Sequence, residues 1–576
     1  MTSRPAPDNE RTRDLGLDDV LPGEPTERPG PVLLLGPVLR HSDTTRAVVW
    51  VETSRAAEVE VCARRTRTFE VQGHHYGYLV VDGLAPGTDI PYDVRLDGDV
   101  VWPPPDDPRP APRLRTSAPS GPVDLVFGSC RVDRPHERPW DLEPGEHPDG
   151  VGVDALQALS LACQRGSRPL PDLLLMLGDQ VYADEGLSPK VRAKQRQRRA
   201  ESSEPRGEVA DFEEYTWLYL DSWSNPDVRW LLSTVPSAMV FDDHDVRDDW
   251  NTSREWRHCV RRLPWWRERI RGAYMSYWLY QHLGNVSPDE VEAQGLLARV
   301  REGGVESLRE FAEHADDEVG GRKLSQWSYR LDLRGTRLVV VDTRSGRVLE
   351  DDRRSMLSEP EWEQVEQWLR GGCDHLVVAT SVPVFLERSL HDLEQWNEAV
   401  AAGAWGSRAA RAGERLRQAL DLEHWAAFGA SFDRMVTRLL EVARGDRGPA
   451  PRSVVVLSGD VHHSYVAPVR TAQGWPPVPV VQAVSSPMRN AFPRRLQRGF
   501  RFAATPVARA IGRLLRLSVR LPPPTVAWTA QQGPMFGNVL GTLRLDGDRA
   551  EIVLSRATAR DGEPVLEQVQ QSVISR

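Results

Sequence analysis

One fifteen-residue stretch, Pro171 to Glu185 (PDLLLMLGDQVYADE), constrains the fold more than any other part of the sequence. Its apolar run from Leu173 to Leu177 predicts a short strand that is buried on both faces, as in the centre of an α/β sheet. Gly178 permits a tight turn, and Asp179 and Tyr182 follow directly. Because α/β proteins bind ligands where buried strands end, this stretch predicts a polar site at one edge of a sheet.

The same arrangement of an apolar strand followed by reactive side chains recurs along the chain. Four strand ends carry potential metal ligands, which are Cys130, then Asp179 with Tyr182, then Asp243 with His244, and finally Asp460 with His462. Any one of these residues alone often has only a structural role, since a lone aspartate commonly caps a turn and a lone cysteine is commonly a buried thiol. Their joint occurrence predicts that they converge, because these side chains are the ones that a hard or borderline transition metal accepts.

Two metal ions and a phosphate group fit this set of residues. The two oxygens of Asp179 can bridge two ions, and two such ions can clamp a phosphoryl group and activate a water. His244 is then a candidate general acid for the leaving oxygen. Arg131 and Arg344 are candidate phosphate clamps, because a guanidinium fork matches two phosphate oxygens; the alternative for each is a surface salt bridge.

Changes in composition and hydrophobic pattern along the chain predict a division into three parts. Residues 1–30 are rich in Pro, Gly and charge, which indicates a disordered tail. Residues 31–117 read as short strands of a β-sandwich that resembles fibronectin type III domains, with Tyr92 as its corner tyrosine. We expect a packing or lid domain there, with a ligand-binding sandwich as the alternative. In residues 118–576, buried strands alternate with helical stretches. Ser358 and Glu361 predict a capping box at the start of one of these helices.

Composition narrows the classes of function. The net charge of −10 gives no general attraction for nucleic acid, so no nucleic-acid scaffold role is expected. The five cysteines are odd in number and widely spaced, which argues against a disulfide framework and a structural zinc site. The sequence has no run of about 18 apolar residues and no apolar segment typical of a signal peptide. We therefore expect a cytoplasmic protein, whereas its oligomeric state is not indicated.

The series GSC, GDQVY, DDHD and GDVH resembles the alkaline phosphatase D (PhoD-like) family of metallophosphatases, which is similar to purple acid phosphatases. The resemblance covers about residues 123 to 555 and extends to the sandwich before them. It implies a four-layer α/β/β/α metallophosphatase sandwich, preceded by the small all-β sandwich. It also implies a metal-dependent phosphoesterase of alkaline phosphatase or phosphodiesterase type, which hydrolyses phosphate esters with a metal-activated hydroxide at a dinuclear site.

The resemblance also assigns ligands. It implies an iron(III) ion held by Cys130, Asp179, Tyr182 and His462. It further implies a second ion, most readily calcium although other divalent ions are possible, held by Asp179, Asp243 and Asp460 with His244 as the acid. Family members often carry paired asparagines after this block, whereas this chain has Asp248 and Asp249. We include Asp249 among the expected ligands, and the added negative charge bears on the identity of the second metal.

A basic segment follows the last motif. Residues 487–520 contain nine arginines and no acidic residue. On a helical wheel, four of the arginines lie on one face, and Val507, Ile511, Leu514 and Leu515 lie on the other. Such a helix can contact anionic lipid, form a positively charged lid, or pack by its apolar face on the domain. A second function therefore stays open, that of a catalytically degenerate binding or scaffold protein that docks to anionic membranes.

Overall fold

A computed structural model describes residues 30–319, 322–323, 325–350 and 353–575. The tail predicted at residues 1–30 lies outside the described residues except for its last position. In chain order, the strands of the described part are β1 (Leu33–Ser42), β2 (Ala47–Thr53), β3 (Glu58–Val61), β4 (Arg64–Arg67), β5 (Phe69–Val71), β6 (His74–Val81), β7 (Asp89–Pro91), β8 (Val94–Leu96), β9 (Asp99–Trp102), β10 (Arg113–Arg115), β11 (Val123–Gly128), β12 (Leu173–Met176), β13 (Ser237–Met239), β14 (Glu318–Val319), β15 (Arg322–Lys323), β16 (Tyr329–Leu333), β17 (Thr336–Val341), β18 (His375–Thr380), β19 (Ser453–Ser458), β20 (Tyr465–Thr471), β21 (Val480–Val484), β22 (Val526–Trp528), β23 (Val539–Asp546), β24 (Arg549–Arg560) and β25 (Glu563–Ser575).

The α-helices are interleaved with these strands. They are α1 (Ala155–Gln164), α2 (Pro189–Arg198), α3 (Phe212–Trp223), α4 (Pro226–Thr234), α5 (Arg254–Val260), α6 (Trp266–Ser276), α7 (Pro288–Gln294), α8 (Leu296–Ala315), α9 (Glu359–Trp368), α10 (Arg388–Ala401), α11 (Ser407–Ala419), α12 (Gly429–Arg444), α13 (Arg494–Ala503) and α14 (Pro506–Ser518). A π-helical turn over Tyr277–Gln281 continues α6. None of the described helices is long and apolar enough to cross a bilayer.

The N-terminal part consists of two four-stranded sheets, β1-β2-β6-β5 and β4-β3-β8-β9, with a short β7-β10 pair. Every residue of β2 is buried, because its two faces are covered by different neighbours. Val49 and Val51 belong to the core of the sandwich, whereas Val48 and Trp50 pack into the core of the α/β part. The sandwich is therefore docked tightly on the rest of the chain rather than tethered to it.

Tyr92 makes a contact that the sequence does not predict. A corner tyrosine hydrogen-bonds back to its own sandwich a few residues upstream. Here the buried Tyr92 hydroxyl donates to the carbonyl of Ser233, at the end of α4, over 2.6 Å. The role of a corner tyrosine predicted for Tyr92 is therefore wrong, because its hydroxyl joins the sandwich to the α/β part.

Two large sheets form the centre of the molecule. The first has six strands in the order β13-β12-β11-β23-β24-β25, and the second has seven in the order β16-β17-β18-β19-β21-β20-β22. Along β17, Leu338 and Val340 pack toward the first sheet, while Val339 and Val341 join the core on the opposite side. Helix α1 covers the first sheet, and α9 and α12 cover the second. This confirms the predicted four-layer α/β/β/α fold with an all-β part before it.

Parallel strands bring the predicted motifs to one edge. Strands β11, β12 and β13 run parallel in the first sheet, as do β17, β18 and β19 in the second. The segment after β19 meets the segment after β11, since the backbone N–H of Asp460 donates to Ser129 Oγ over 2.9 Å. The carboxyl ends of both sheets therefore converge on one region, as expected for α/β proteins.

The capping box predicted before α9 is wrong. Ser358 does occupy the N-cap position, but its side chain makes no capping hydrogen bond. Glu361 turns away and accepts hydrogen bonds from the N–H and hydroxyl of Ser328, at 3.2 and 2.6 Å. Glu361 therefore connects α9 to the start of β16, because a long-range partner replaces the local one.

Candidate metal centre and active site

Glycines allow the converging loops to approach one another. Gly178 has φ +111°, and a Cβ there would lie 2.6 Å from the side chain of Asp242. A Cβ on Gly459 would lie 2.2 Å from Ser129 Oγ. Both loops thus pack at distances that only glycine allows, which explains the Gly-Asp pairs of the sequence.

The candidate ligands themselves have unusual backbone conformations. Cys130, Asp179, Asp460 and His462 have φ angles of 57°, 50°, 67° and 51°, respectively. Residues with side chains rarely adopt this left-handed region, and each instance costs about 1–3 kcal/mol. Four such residues in one place are typical of a functional site, because the surrounding structure must hold them against this strain.

A thiol, a carboxylate and an imidazole form the first group. One ligand atom each of Cys130, Asp179 and His462 lies within 4.8 Å of the other two. Tyr182 joins this group, because its hydroxyl donates to Asp179 Oδ2 over 3.4 Å. His462 Nδ1 donates to the carbonyl of Asn490 over 2.9 Å, which leaves Nε2 with its lone pair free to bind a metal.

Burial sets the protonation states of these side chains in the absence of an ion. Burial and the nearby Asp460 raise the pKa of the Cys130 thiol to about 12. Burial and the neighbouring His244 lower the pKa of His462 to about 4, so its imidazole is neutral. A neutral imidazole is the form that binds a metal, and a bound cation would deprotonate the thiol.

Three carboxylates form a second group beside the first. One ligand oxygen each of Asp179, Asp242 and Asp243 lies within 4.8 Å of the other two. Asp179 Oδ1 and Asp242 Oδ2 are buried and have no hydrogen-bond partner in the described part of the chain, whereas the buried Asp243 Oδ1 makes no hydrogen bond but lies 3.1 Å from Arg344 Nη2. Burial raises the pKa of Asp179 well above its ordinary value. The neighbouring Cys130 thiol and Asp242 carboxylate raise it further. Unsatisfied buried carboxylate oxygens are costly, and a bound cation would compensate them. The donor set therefore fits metal ions.

Arg344 lies among these carboxylates. It is fully buried, and it forms ion pairs with Asp242, Asp243, Glu423 and Asp460. Its Nη2 lies 3.1 Å from Asp243 Oδ1 and 3.0 Å from Asp460 Oδ1. This geometry argues against the phosphate clamp predicted for Arg344, because its guanidinium is already engaged by acidic side chains.

The geometry also argues against the clamp predicted for Arg131. This side chain is 2% exposed, and its Nε and Nη2 donate to Asp154 Oδ2 over 3.0 and 2.7 Å. Its Nη1 donates to the carbonyl and hydroxyl of Ser222. Arg131 therefore ties the loop after β11 to the start of α1 and the end of α3.

His244 is held by a carboxylate next to the two groups. Its Nδ1 lies 3.0 Å from Asp184 Oδ1, and its ring lies 4.5 Å from that of Tyr182, centroid to centroid. Burial disfavours the charged imidazole, but Asp184 outweighs it and raises the pKa of His244 well above its ordinary value. The contact with Asp184 thus favours the protonated form of the His244 imidazole beside the candidate ligands.

Asp248 and Asp249, which replace the paired asparagines of the family, have different neighbours. The carboxylate of Asp248 groups with Asp243 and His244 within 4.8 Å. Asp249 donates its backbone N–H to Asp243 Oδ2 over 3.2 Å. Burial and the carboxylates of Glu423 and Asp421 raise the pKa of Asp249 to about 10. Asp249 as a ligand stays a prediction, and Asp248 is the better placed of the two.

Several contributors were not predicted from the sequence. Asp242 belongs to the DDHD motif, and its position next to Asp243 was the sequence feature that could have indicated its place in the site. Glu423 and His424 follow α11, and His424 Nε2 lies 3.1 Å from Asp460 Oδ2. Asn490 donates to Tyr182 Oη over 3.1 Å. No strand-end pattern marks Glu423, His424 or Asn490, and only the tertiary fold brings them to the site.

The fold and this donor set define a metallophosphatase-like protein of the α/β/β/α class. The family model described as PhoD-like phosphatase matches residues 160–492, more than half of the chain. The chain therefore belongs to the PhoD-like phosphatase family, and it is a metal-dependent phosphoester hydrolase. A second model, described as a domain of unknown function (DUF7800), matches residues 30–114.

Two solved structures are similar to this chain at low sequence identity. The structure of PhoD has 13% identity and a TM-score of 0.55, with 94% of this chain and 90% of that chain covered. The structure of purple acid phosphatase PPD1 from seeds of yellow lupin (Lupinus luteus) has 11% identity and a TM-score of 0.45, with 95% and 74% covered. No curated protein matches the sequence.

Proposed function

We propose that this chain hydrolyses phosphate esters at a dinuclear metal site formed by the two groups described above. The observation that carries the proposal is the pair of buried carboxylate oxygens on Asp179 and Asp242 that have no partner among the described residues, grouped with the carboxylate of Asp243. They lie next to a thiol, a phenol and an imidazole. Such a concentration of uncompensated acceptors is costly in a protein without cations.

The two proposed ions differ in their ligands. Cys130, Asp179, Tyr182 and His462 would hold the first ion, and a thiolate, a phenolate and an imidazole suit iron(III). Asp179, Asp243 and Asp460 would hold the second, with oxygen from Asp242, Asp248 or Asp249 available. A site with oxygen ligands only favours calcium among the divalent ions. Asp179 contributes to both sets, so it would bridge them.

The roles of the other side chains follow from their contacts. When bound, two such ions polarise the phosphoryl group and activate a water for attack at phosphorus. His244 would donate a proton to the leaving oxygen, and Asp184 keeps its ring oriented and protonated. Ser486 donates to Cys130 Sγ over 3.2 Å and would orient the thiolate. Arg344 would keep Asp243 and Asp460 ionised and in place.

Elemental analysis and a chromogenic phosphoester assay, with and without chelator, test this proposal. We expect iron with a second metal, and turnover that chelation removes and metal restores. Asp179→Asn should abolish both metal binding and turnover while the protein stays folded. Asp124→Asn is the matched control, since Asp124 forms an ion pair with Arg168 away from the site. Parallel assays with a mono- and a diester define the substrate class. A metal-free protein without turnover would instead support the scaffold alternative.

A further inference from the structure

Helix α14 packs on the molecule by its small residues and exposes its large apolar ones. Ala508, Gly512 and Arg516 are its buried residues. A Cβ on Gly512 would lie 2.9 Å from Asp392 Cβ in α10, so the two helices are in close contact. Arg516 Nη1 pairs with Asp392 Oδ1 over 3.2 Å in this contact. The helix is thus fixed to α10 by a face that is not its most apolar one.

The outward face of α14 consists of aliphatic side chains. Val507, Ile511, Leu514 and Leu517 are 60%, 47%, 67% and 60% exposed. The described part of the chain has twelve exposed large hydrophobic residues, and six of them lie in α13 and α14. They are these four residues together with Leu496 and Phe502. A contiguous exposed apolar patch of this kind marks an interaction site. The alternative in which α14 packs on the domain by its apolar face is therefore wrong.

Positive charge borders this apolar face. Arg509 and Arg513 lie one turn apart on α14, and Arg520 follows two residues after the helix ends. The segment 487–520 has no acidic residue of its own. Arg509 Nε lies 4.0 Å from Glu387 Oε1, at the limit of an ion pair. The patch therefore combines aliphatic side chains with an excess of arginines.

A tryptophan extends the patch at its carboxyl end. Trp405, between α10 and α11, is 49% exposed, and its Nε1 donates to the carbonyl of Ser518 over 3.4 Å. Tryptophan is enriched where a protein meets the polar boundary of a bilayer. Aliphatic residues, arginines and tryptophan on one surface are the composition of interfacial helices.

We propose that α13 and α14 dock this protein on the surface of an anionic lipid bilayer. The aliphatic side chains of α14 would enter the headgroup boundary, and the flanking arginines would pair with lipid phosphates. A second copy of the chain fits this surface less well, because a symmetric contact would bring the arginines of both copies together. Charge complementarity thus favours the anionic bilayer.

The proposed docking surface connects to the candidate metal centre. Phe500 of α13 lies 4.8 Å from the ring of His463 and 5.5 Å from that of Phe492, centroid to centroid. Phe492 in turn stacks on His462 at 4.6 Å. Docking would therefore place the metal centre next to the lipid surface, where phosphoesters are abundant.

Co-sedimentation of the full chain with lipid vesicles tests the proposal. We expect binding to phosphatidylcholine vesicles that contain phosphatidylserine, weak binding to phosphatidylcholine alone, and loss of binding at high salt. Arg513→Gln should lower the partition coefficient roughly fivefold, from about 1 kcal/mol per basic residue. Leu514→Glu should lower it on the order of tenfold or more. Val100→Glu, at another exposed apolar residue, should change nothing.

The melting temperature of each variant should match that of the parent, because the altered side chains are exposed. Absence of binding to anionic vesicles at low salt would overturn the proposal. Equal binding to neutral vesicles, or equal effects of Val100→Glu and Leu514→Glu, would also overturn it. Sedimentation that shows a dimer dissociated by Leu514→Glu, without lipid binding, would identify a second copy as the occupant instead.

Discussion

Variants of Arg131 can separate a structural role from that of a phosphate clamp, because the ion pair that Arg131 forms in the described part of the chain is with the buried Asp154. It is buried against Asp154, which also caps α1 through the backbone N–H of Leu156. Removal of one member of a buried ion pair costs about 3–5 kcal/mol, because the other charge is left uncompensated. With a urea slope of about 3 kcal/mol per M, Arg131→Met should lower the unfolding midpoint by roughly 1–1.7 M.

Asp154→Asn should cost a similar amount, since asparagine keeps the helix cap but loses the charge. The double variant with Arg131→Met should be more stable than the sum of the single effects predicts, because no buried charge remains unpaired. Urea unfolding measures these differences, and KM for a soluble phosphoester is measured on the folded protein. We expect KM to change little. A tenfold rise in KM for Arg131→Met with an unchanged midpoint would refute this reasoning and restore the clamp.

Three further changes follow from single side chains. Gly178→Ala should lower iron content, because the added Cβ meets Asp242; Gly474→Ala, with a similar φ of +113° but nothing within 4 Å, should not. His244→Ala should slow esters with poor leaving groups by about 10²–10⁴ and nitrophenyl esters much less, and equal losses would exclude a general acid. Burial and Arg40 lower the pKa of His282 to about 3, so the unfolded chain binds the extra proton below about pH 6.5. This group should therefore lower the free energy of unfolding by up to about 1.4 kcal/mol for each pH unit of acidification. In thermal melts, His282→Phe should reduce this dependence of stability on pH. His258→Phe, at an exposed histidine, should leave it unchanged.

The candidate ligands could be predicted from the sequence because each follows a local pattern. A buried strand, a glycine and a polar residue occur within a few positions, so Asp179 and Asp460 stand out without any knowledge of the tertiary fold. Parallel strands then place such residues at one edge. The partners from helices and loops carry no such pattern. Glu423 and Asn490 reach the site only through tertiary packing.

The direction of long side chains was the feature that the sequence predicted least. The sequence placed Arg131 and Arg344 next to the ligands, but it did not reveal that buried carboxylates engage both guanidinium groups. The capping box at Ser358 failed for the same reason, because Ser328 supplies the partner of Glu361. In α14, periodicity predicted an amphipathic helix but not which face packs. Small residues at positions 508 and 512 permit close contact with α10, and this decided the orientation.

Diffraction data collected at the iron absorption edge from metal-loaded crystals test the central claim most directly. We predict an anomalous peak within bonding distance of Cys130 Sγ, Asp179, Tyr182 and His462, and a second cation shared through Asp179. Crystals of Asp179→Asn should lack both peaks. The claim would be contradicted by metal-loaded crystals with no peak among these side chains, or by Asp179→Asn crystals that keep both ions.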